Sequence, residues 1–141
     1  GGILNLIKSS DDENLFVFNP DTLWNFGYLE TINKMEEIYF KNNIKNLLMV
    51  VNKNKSYDKR FKGDFELKKN KLSKEIECDY IYTGCQIINK KIFHDVGEKV
   101  FSISKIWDHL LNKKELYGFE SNEKFVHLTD LEILNRLTKN R

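Results

Sequence analysis

The 141-residue sequence predicts an α/β fold with a mixed, mostly parallel sheet and flanking helices. Two observations carry this. Leu15-Phe16-Val17-Phe18 and Leu47-Leu48-Met49-Val50-Val51 are apolar runs of strand length, the first closed by Asn19-Pro20-Asp21. Between them Leu29, Ile32, Met35, Glu36, Ile38 and Tyr39 recur at mostly three- and four-residue spacing, the mostly apolar stripe of an amphipathic helix ending near Asn42 or Asn43. Strand, helix, strand in this order is a βαβ unit, so the two strands are expected to run parallel, side by side or separated by one.

The remaining elements follow from similar patterns. Phe65 and Leu67 alternate with polar residues, Lys69-Asn70-Lys71 makes a turn and Leu72 starts a return segment, which together predict a hairpin. Tyr80 to Ile88 reads as a long strand, and Ile103, Ile106, Leu110 and Leu111 mark a helix. Leu116–Glu120 and Phe125–Leu128 read as two more strands, and Leu131, Ile133, Leu134 and Leu137 as a closing helix with Thr129 as its N-cap.

Composition is even along the chain, with 40% hydrophobic and 31% charged residues, and a single domain spanning 1–141 is expected. No apolar run approaches the roughly 18 residues of a membrane-spanning helix, and no targeting segment is visible at Gly1-Gly2-Ile3-Leu4. Cys78 and Cys85 lack the spacing of a zinc or redox site and read as reduced thiols of a cytoplasmic protein. Charge is uneven: residues 11–37 carry seven acids and one Lys, whereas residues 41–75 carry eleven Lys or Arg and four acids. That basic stretch is either an anion-attracting surface or a solvated Lys-rich hairpin.

Ligands of open α/β sheets bind at the carboxyl ends of strands, which makes Asp21 the best-placed acid. A lone carboxylate there can hold one position of Mg²⁺, or serve only in a turn and helix cap. His127, between Val126 and Leu128, could share a site with Asp21 if their segments are neighbours; His94 and His109 sit in polar helical contexts and read as surface residues. Ser102 and Cys85 lack the local setting of a nucleophile and read as cap and core. Gly63 and Gly84, beside aromatic strand residues, mark either backbone approach to a ligand or a bulge.

Taken together, these segments resemble the sugar-1-phosphate nucleotidyltransferase family, especially its mannose-1-phosphate guanylyltransferase-like and N-acetylmuramate-1-phosphate uridylyltransferase-like branch. Gly1-Gly2-Ile3 is similar to the end of that family's Gly-rich ETGGG loop, and Phe16 to Trp24 to its strand-plus-acid motif. Gly63-Asp64-Phe65 and Tyr82-Thr83-Gly84 resemble its sugar-pocket segments, Phe101 to Asp108 its FSLNxLWD helix start, and Leu116-Tyr117-Gly118-Phe119 the strand that follows.

The resemblance implies a Rossmann-like nucleotidyltransferase fold, with NTP and sugar-1-phosphate as partners and Mg²⁺ as cofactor. It implies Asp21 as the catalytic metal ligand, His127 at the second metal position with Asp130 as competitor, Gly1 and Gly2 near the nucleobase, and Gly63 and Gly84 against the sugar. Pro20 stands where the family has Gly or Ser, and Leu128-Thr129-Asp130-Leu131-Glu132 departs from its Val-Gly-Thr-Pro-Glu. The family's N-terminal strands and GxGTRxxP phosphate loop have no counterpart here, so the resemblance is to a C-terminal portion. Two other readings stay open: a non-catalytic nucleotide- or sugar-phosphate-binding module, and a basic domain binding nucleic acid through residues 41–75. Neither a membrane nor a nucleic acid is an expected partner on the leading reading.

Overall fold

The computed structural model describes residues 2–96 and 102–140. Its elements are α1 (Gly2–Ser9), β1 (Asn14–Phe18), α2 (Tyr28–Lys41), β2 (Asn46–Asn52), β3 (Glu66–Lys68), β4 (Lys71–Ser73), β5 (Tyr80–Asn89), α3 (Lys91–Val96), α4 (Ile103–Asn112), β6 (Tyr117–Glu120) and α5 (Leu131–Lys139), with a single 3₁₀ turn at Lys53–Lys55. No helix among the described residues is long and apolar enough to cross a membrane.

The six strands form one sheet in the order β1-β5-β2-β6-β4-β3. β1 and β2 both pair antiparallel with β5, and are therefore parallel to each other and separated by one strand, as the βαβ pattern predicts. The expectation of a mostly parallel sheet is wrong. Only β2–β6 pairs parallel, because β5 returns directly from the β3–β4 hairpin instead of through a crossover helix.

Alternation along β2 builds a core on each face of the sheet. Leu47 and Met49 join Tyr28, Met35 and Tyr39 beneath α2, whereas Leu48 and Val50 join Ile92 of α3 and Ile106 and Leu110 of α4. The α2 stripe starts at Tyr28 and not at the expected Leu29, which is half exposed. β1 is an edge strand: Leu15 and Val17 pack inward toward the α4 side, and Phe16 and Phe18 stack on each other, partly exposed, on the α2 side.

Several local expectations change. Gly2 starts a helix where the sequence suggested the end of a loop, and Gly1 lies outside the described residues. Phe125–Leu128 forms no strand; it touches two different loops through single bridges, Ser56 with Phe125 and Thr22 with His127, and so never lies along one partner. α5 begins one residue later than expected. Its N-cap is Asp130, whose Oδ1 accepts from the Ile133 N–H at 3.0 Å, while Thr129 turns its hydroxyl to Asp58. The hairpin forms where expected, but its turn is only Lys69 and Asn70, both at positive φ, the two-residue geometry that matches strand twist, and Lys71 already belongs to β4.

Two constraints hold the strand ends. At Gly84 φ is +93°, and β5 bulges so that the register with β2 shifts between Leu48 and Val50. A Cβ there would lie 2.7 Å from Asn19 Cβ. The second constraint is Asp58, only 5% exposed, which accepts from Arg60 Nε and Nη2 and from the Arg60 backbone N–H. Arg60 Nη2 also reaches Asp130 Oδ2 at 2.8 Å, tying the loop after β2 to the start of α5. The Arg60 guanidinium holds the Asp58 carboxyl down to about 2.

Gly84→Ala combines a disfavoured backbone with a steric clash and is expected to destabilise the protein by about 2 kcal/mol or more, measured by urea unfolding. For Asp58 the folded state prefers the ionised form, so its stabilisation is full above the ordinary carboxyl range near about pH 4 and is lost as pH falls toward about 2. Asp58→Asn should therefore lower Tm at pH 7 and flatten the fall in Tm between about pH 4 and pH 2 relative to the parent protein.

Candidate functional site

β1, β2 and β6 point their carboxyl ends to one end of the sheet, and the loops that leave them converge there. The loop after β1 is fastened to the β5 bulge. The Asn19 N–H donates to Gly84 O at 2.8 Å, the buried Thr22 hydroxyl donates to Thr83 O at 2.8 Å, and Trp24 Nε1 donates back to Asn19 O at 3.0 Å. Thr83 in turn donates to Met49 O. Asp21 sits in the middle of this fastened loop, its side chain 48% exposed.

The chain after β6 reaches the same loop. The Leu23 N–H donates to Val126 O at 2.9 Å and the Leu128 N–H to Asp21 O at 2.8 Å, with Thr22 and His127 as the bridged pair between them. This splice brings His127 Nε2 to 3.6 Å from Asp21 Oδ2. The separation exceeds a hydrogen bond, so the two groups face each other across a gap while no hydrogen bond from the described residues occupies the Asp21 carboxylate. The imidazole, 23% exposed, rests between Phe61 and Phe125, with ring centroids at 5.7 and 6.1 Å. Its Nδ1 is buried, with no hydrogen-bond partner among the described residues.

The other acids here are already engaged. Both oxygens of Asp130 are used, one by the α5 cap and one by Arg60, and these donors hold its carboxyl below the usual range. The structure thus brings His127 to Asp21, whereas the Asp130 carboxylate is turned to Arg60 and to the start of α5. Asp58 and Arg60 escaped the sequence reading. An Asp-x-Arg step in a chain with only three Arg was the available signal, but the Asp130 partner lies 70 residues away.

The other sequence candidates lie elsewhere or have other partners. At Gly63 a Cβ would lie 2.1 Å from the Cys78 carbonyl oxygen, and at Gly84 it would meet Asn19, so both glycines admit the chain itself. Cys85 is buried, which pushes its thiol up to about 12, consistent with a core role. His94 is exposed on α3, but His109 is not the surface residue expected; it is partly buried, with Nε2 shielded from solvent and unpartnered. Among the described residues no group of three or more His, Cys, Asp or Glu side chains is placed to enclose a metal ion.

No family model matches the sequence. No curated protein matches it either. Solved structures do match. A Bacillus anthracis protein described as a glucose-1-phosphate thymidylyltransferase aligns with 99% of this chain at a TM-score of 0.70 and 15% identity. The inositol-1-phosphate CTP transferase from T. maritima aligns with 99% at 0.73 and 14%, and HddC from Yersinia pseudotuberculosis with 98% at 0.67 and 18%. The match covers 59–60% of each of those proteins, so this chain spans less than two thirds of their length. At such identities the likeness establishes the fold: a mixed α/β sheet with flanking helices, of the kind found in nucleotidyltransferases that act on sugar phosphates.

Proposed function

We propose that this chain carries the metal-binding carboxylate of an enzyme that transfers a nucleotidyl group from an NTP to a sugar-1-phosphate, releasing pyrophosphate. The single observation that carries the reading is the approach of Asp21 Oδ2 and His127 Nε2 to 3.6 Å at the strand ends of a sheet with this fold.

The residues present suit Mg²⁺ at one protein position. Asp21 offers an anionic oxygen that is half exposed and free of competing donors, and a cation that keeps most of its water and takes phosphate oxygens needs little more from the protein. His127 is a poor donor to so hard an ion. When bound, Mg²⁺ would offset charge on the α-phosphate and on the departing pyrophosphate.

What the protein's own residues do follows from the chemistry. The attacking oxygen belongs to a sugar phosphate that is ionised at neutral pH, so no side chain has to remove a proton. It forms a bond to the α-phosphorus as the bridging oxygen leaves with pyrophosphate, and the protein's task is alignment and charge neutralisation. With Nδ1 of His127 buried and unpartnered, the tautomer carrying its proton on Nε2 leaves only a bare acceptor inside. His127 then points a donor at the gap beside Asp21, where it can hold a phosphate oxygen. Phe61 and Phe125 fix the ring plane, and the Asp58–Arg60–Asp130 link holds the segments on which Phe61 and His127 ride.

The sequence has no Gly-rich triphosphate loop, so the 141-residue chain alone is expected to release no pyrophosphate above background with any pairing of NTP and hexose-1-phosphate. In the full-length protein implied by the resemblance, Asp21→Asn should lower kcat about 100-fold or more with Tm nearly unchanged, and His127→Ala about 10-fold. Asp130→Ala should lower Tm and leave the Mg²⁺ dependence of kcat in place. An Asp21→Asn enzyme of near-normal turnover would overturn the site. Nucleotide binding without turnover by that full-length protein would favour the non-catalytic module.

A further inference from the structure

The basic stretch marked by the sequence is not absorbed by the Asp21 site. Its C-terminal part, Lys68, Lys69 and Lys71 with Lys74 just after, belongs to the β3–β4 hairpin at the edge of the sheet opposite β1. Between the hairpin and the C-terminal end of α4 runs a groove of about 510 Å³. Lys68, Lys71 and Lys74 line one wall, and Lys114, held at a φ of +57° just after α4, lines the other. The floor includes the apolar side chains of Leu72 and Leu111. One carboxylate, Asp108, is present, and Lys74 binds it at 3.0 Å. Lys68, Lys71 and Lys114 have no carboxylate partner among the described residues. Lys71 has its ammonium 5.6 Å from the centroid of the Tyr117 ring.

A high lysine content alone does not account for this groove. The larger cavity of about 710 Å³ under Phe61 also has four lysines, but Asp64, Glu75 and Glu77 line it too. In the hairpin groove, by contrast, four lysines share the lining with a single carboxylate, and only Lys74 is paired with it. We propose that this groove binds the phosphate chain of a small solute bearing two or more phosphates. Flexible ammonium groups, each a compact charge with three donors, suit several phosphate oxygens at unequal distances better than one flat carboxylate. No aromatic ring lines the walls to stack a nucleobase, which weighs against a nucleic acid. The concave shape admits a free anion more readily than a flat bilayer surface. The inference does not rest on the Asp21 reading, since β1 and β4 stand at opposite sides of the sheet.

The test is titration of the 141-residue chain with tripolyphosphate and, separately, with UTP at about 50 mM salt, where screening is weak. Calorimetry gives affinity, and backbone amide NMR shifts locate the site without mutation. Binding that shifts Leu72, Leu111 and Lys114 amides and weakens at least tenfold in Lys68→Gln/Lys71→Gln/Lys114→Gln supports the proposal. A control triple, Lys53→Gln/Lys59→Gln/Lys62→Gln, should change affinity less than twofold. Comparable affinities for the two anions would show that the phosphate chain suffices; UTP binding without tripolyphosphate binding would overturn this. So would equal losses in both triples, no binding at 1 mM anion, or preference for a single-stranded oligonucleotide or for phosphatidylglycerol vesicles over tripolyphosphate.

Discussion

The left-handed backbone at Gly84 is the constraint on which the strand ends depend. β5 is bonded on both sides, so a bulge in it is transmitted to β1 and β2 together. The carbonyls of Thr83 and Gly84 turn outward there and take the Thr22 hydroxyl and the Asn19 N–H, fastening the loop of Asp21 to the middle of the sheet. Two backbone hydrogen bonds from that loop then fix the segment of His127. A residue with a side chain at position 84 would press on Asn19, the first link in this sequence of contacts.

Charge is distributed around the site in two ways. Asp58 and Asp130 are spent on Arg60 and on the cap of α5, and their role is to join two stretches of chain. Among the described residues Asp21 receives no such donors and faces an imidazole. A half-exposed carboxylate without such donors keeps its hydration and a solvent-facing oxygen. That contrast, more than the presence of an acid, separates Asp21 from its neighbours.

Much of the fold was legible because apolar runs and stripes report local geometry. The α2 stripe has a helical period, while Leu47–Val51 and Tyr80–Ile88 have the length and the β-branched or aromatic content of strands. The direction of β5 was not legible, since alternation shows that a strand has faces but says nothing of which neighbours it will meet. Phe125–Leu128 failed for the same reason: its pattern suits a strand, yet it has only single-residue bridges. Thr129 and Asp130 are both good caps, and only the competing bond from Thr129 to Asp58 shows why Asp130 caps the helix. The site divides likewise. Asp21 was visible from its place after a strand, whereas the Arg60 link required contacts far apart in sequence. The two glycines were read as ligand approach or bulge; β5 bulges at Gly84, and the atoms nearest an added Cβ belong to Asn19 and Cys78, which lie far off in sequence.

The splice between residues 21–23 and 126–128 has an evolutionary consequence. Its hydrogen bonds run between backbone groups, so the spacing of the Cα positions that carry Asp21 and His127 does not depend on which side chains stand there. Single codon changes at position 127 can therefore exchange a nitrogen donor for an oxygen donor, or remove it, while the socket is inherited intact. A scaffold of this kind lets the chemistry offered at this position drift without first surrendering the fold.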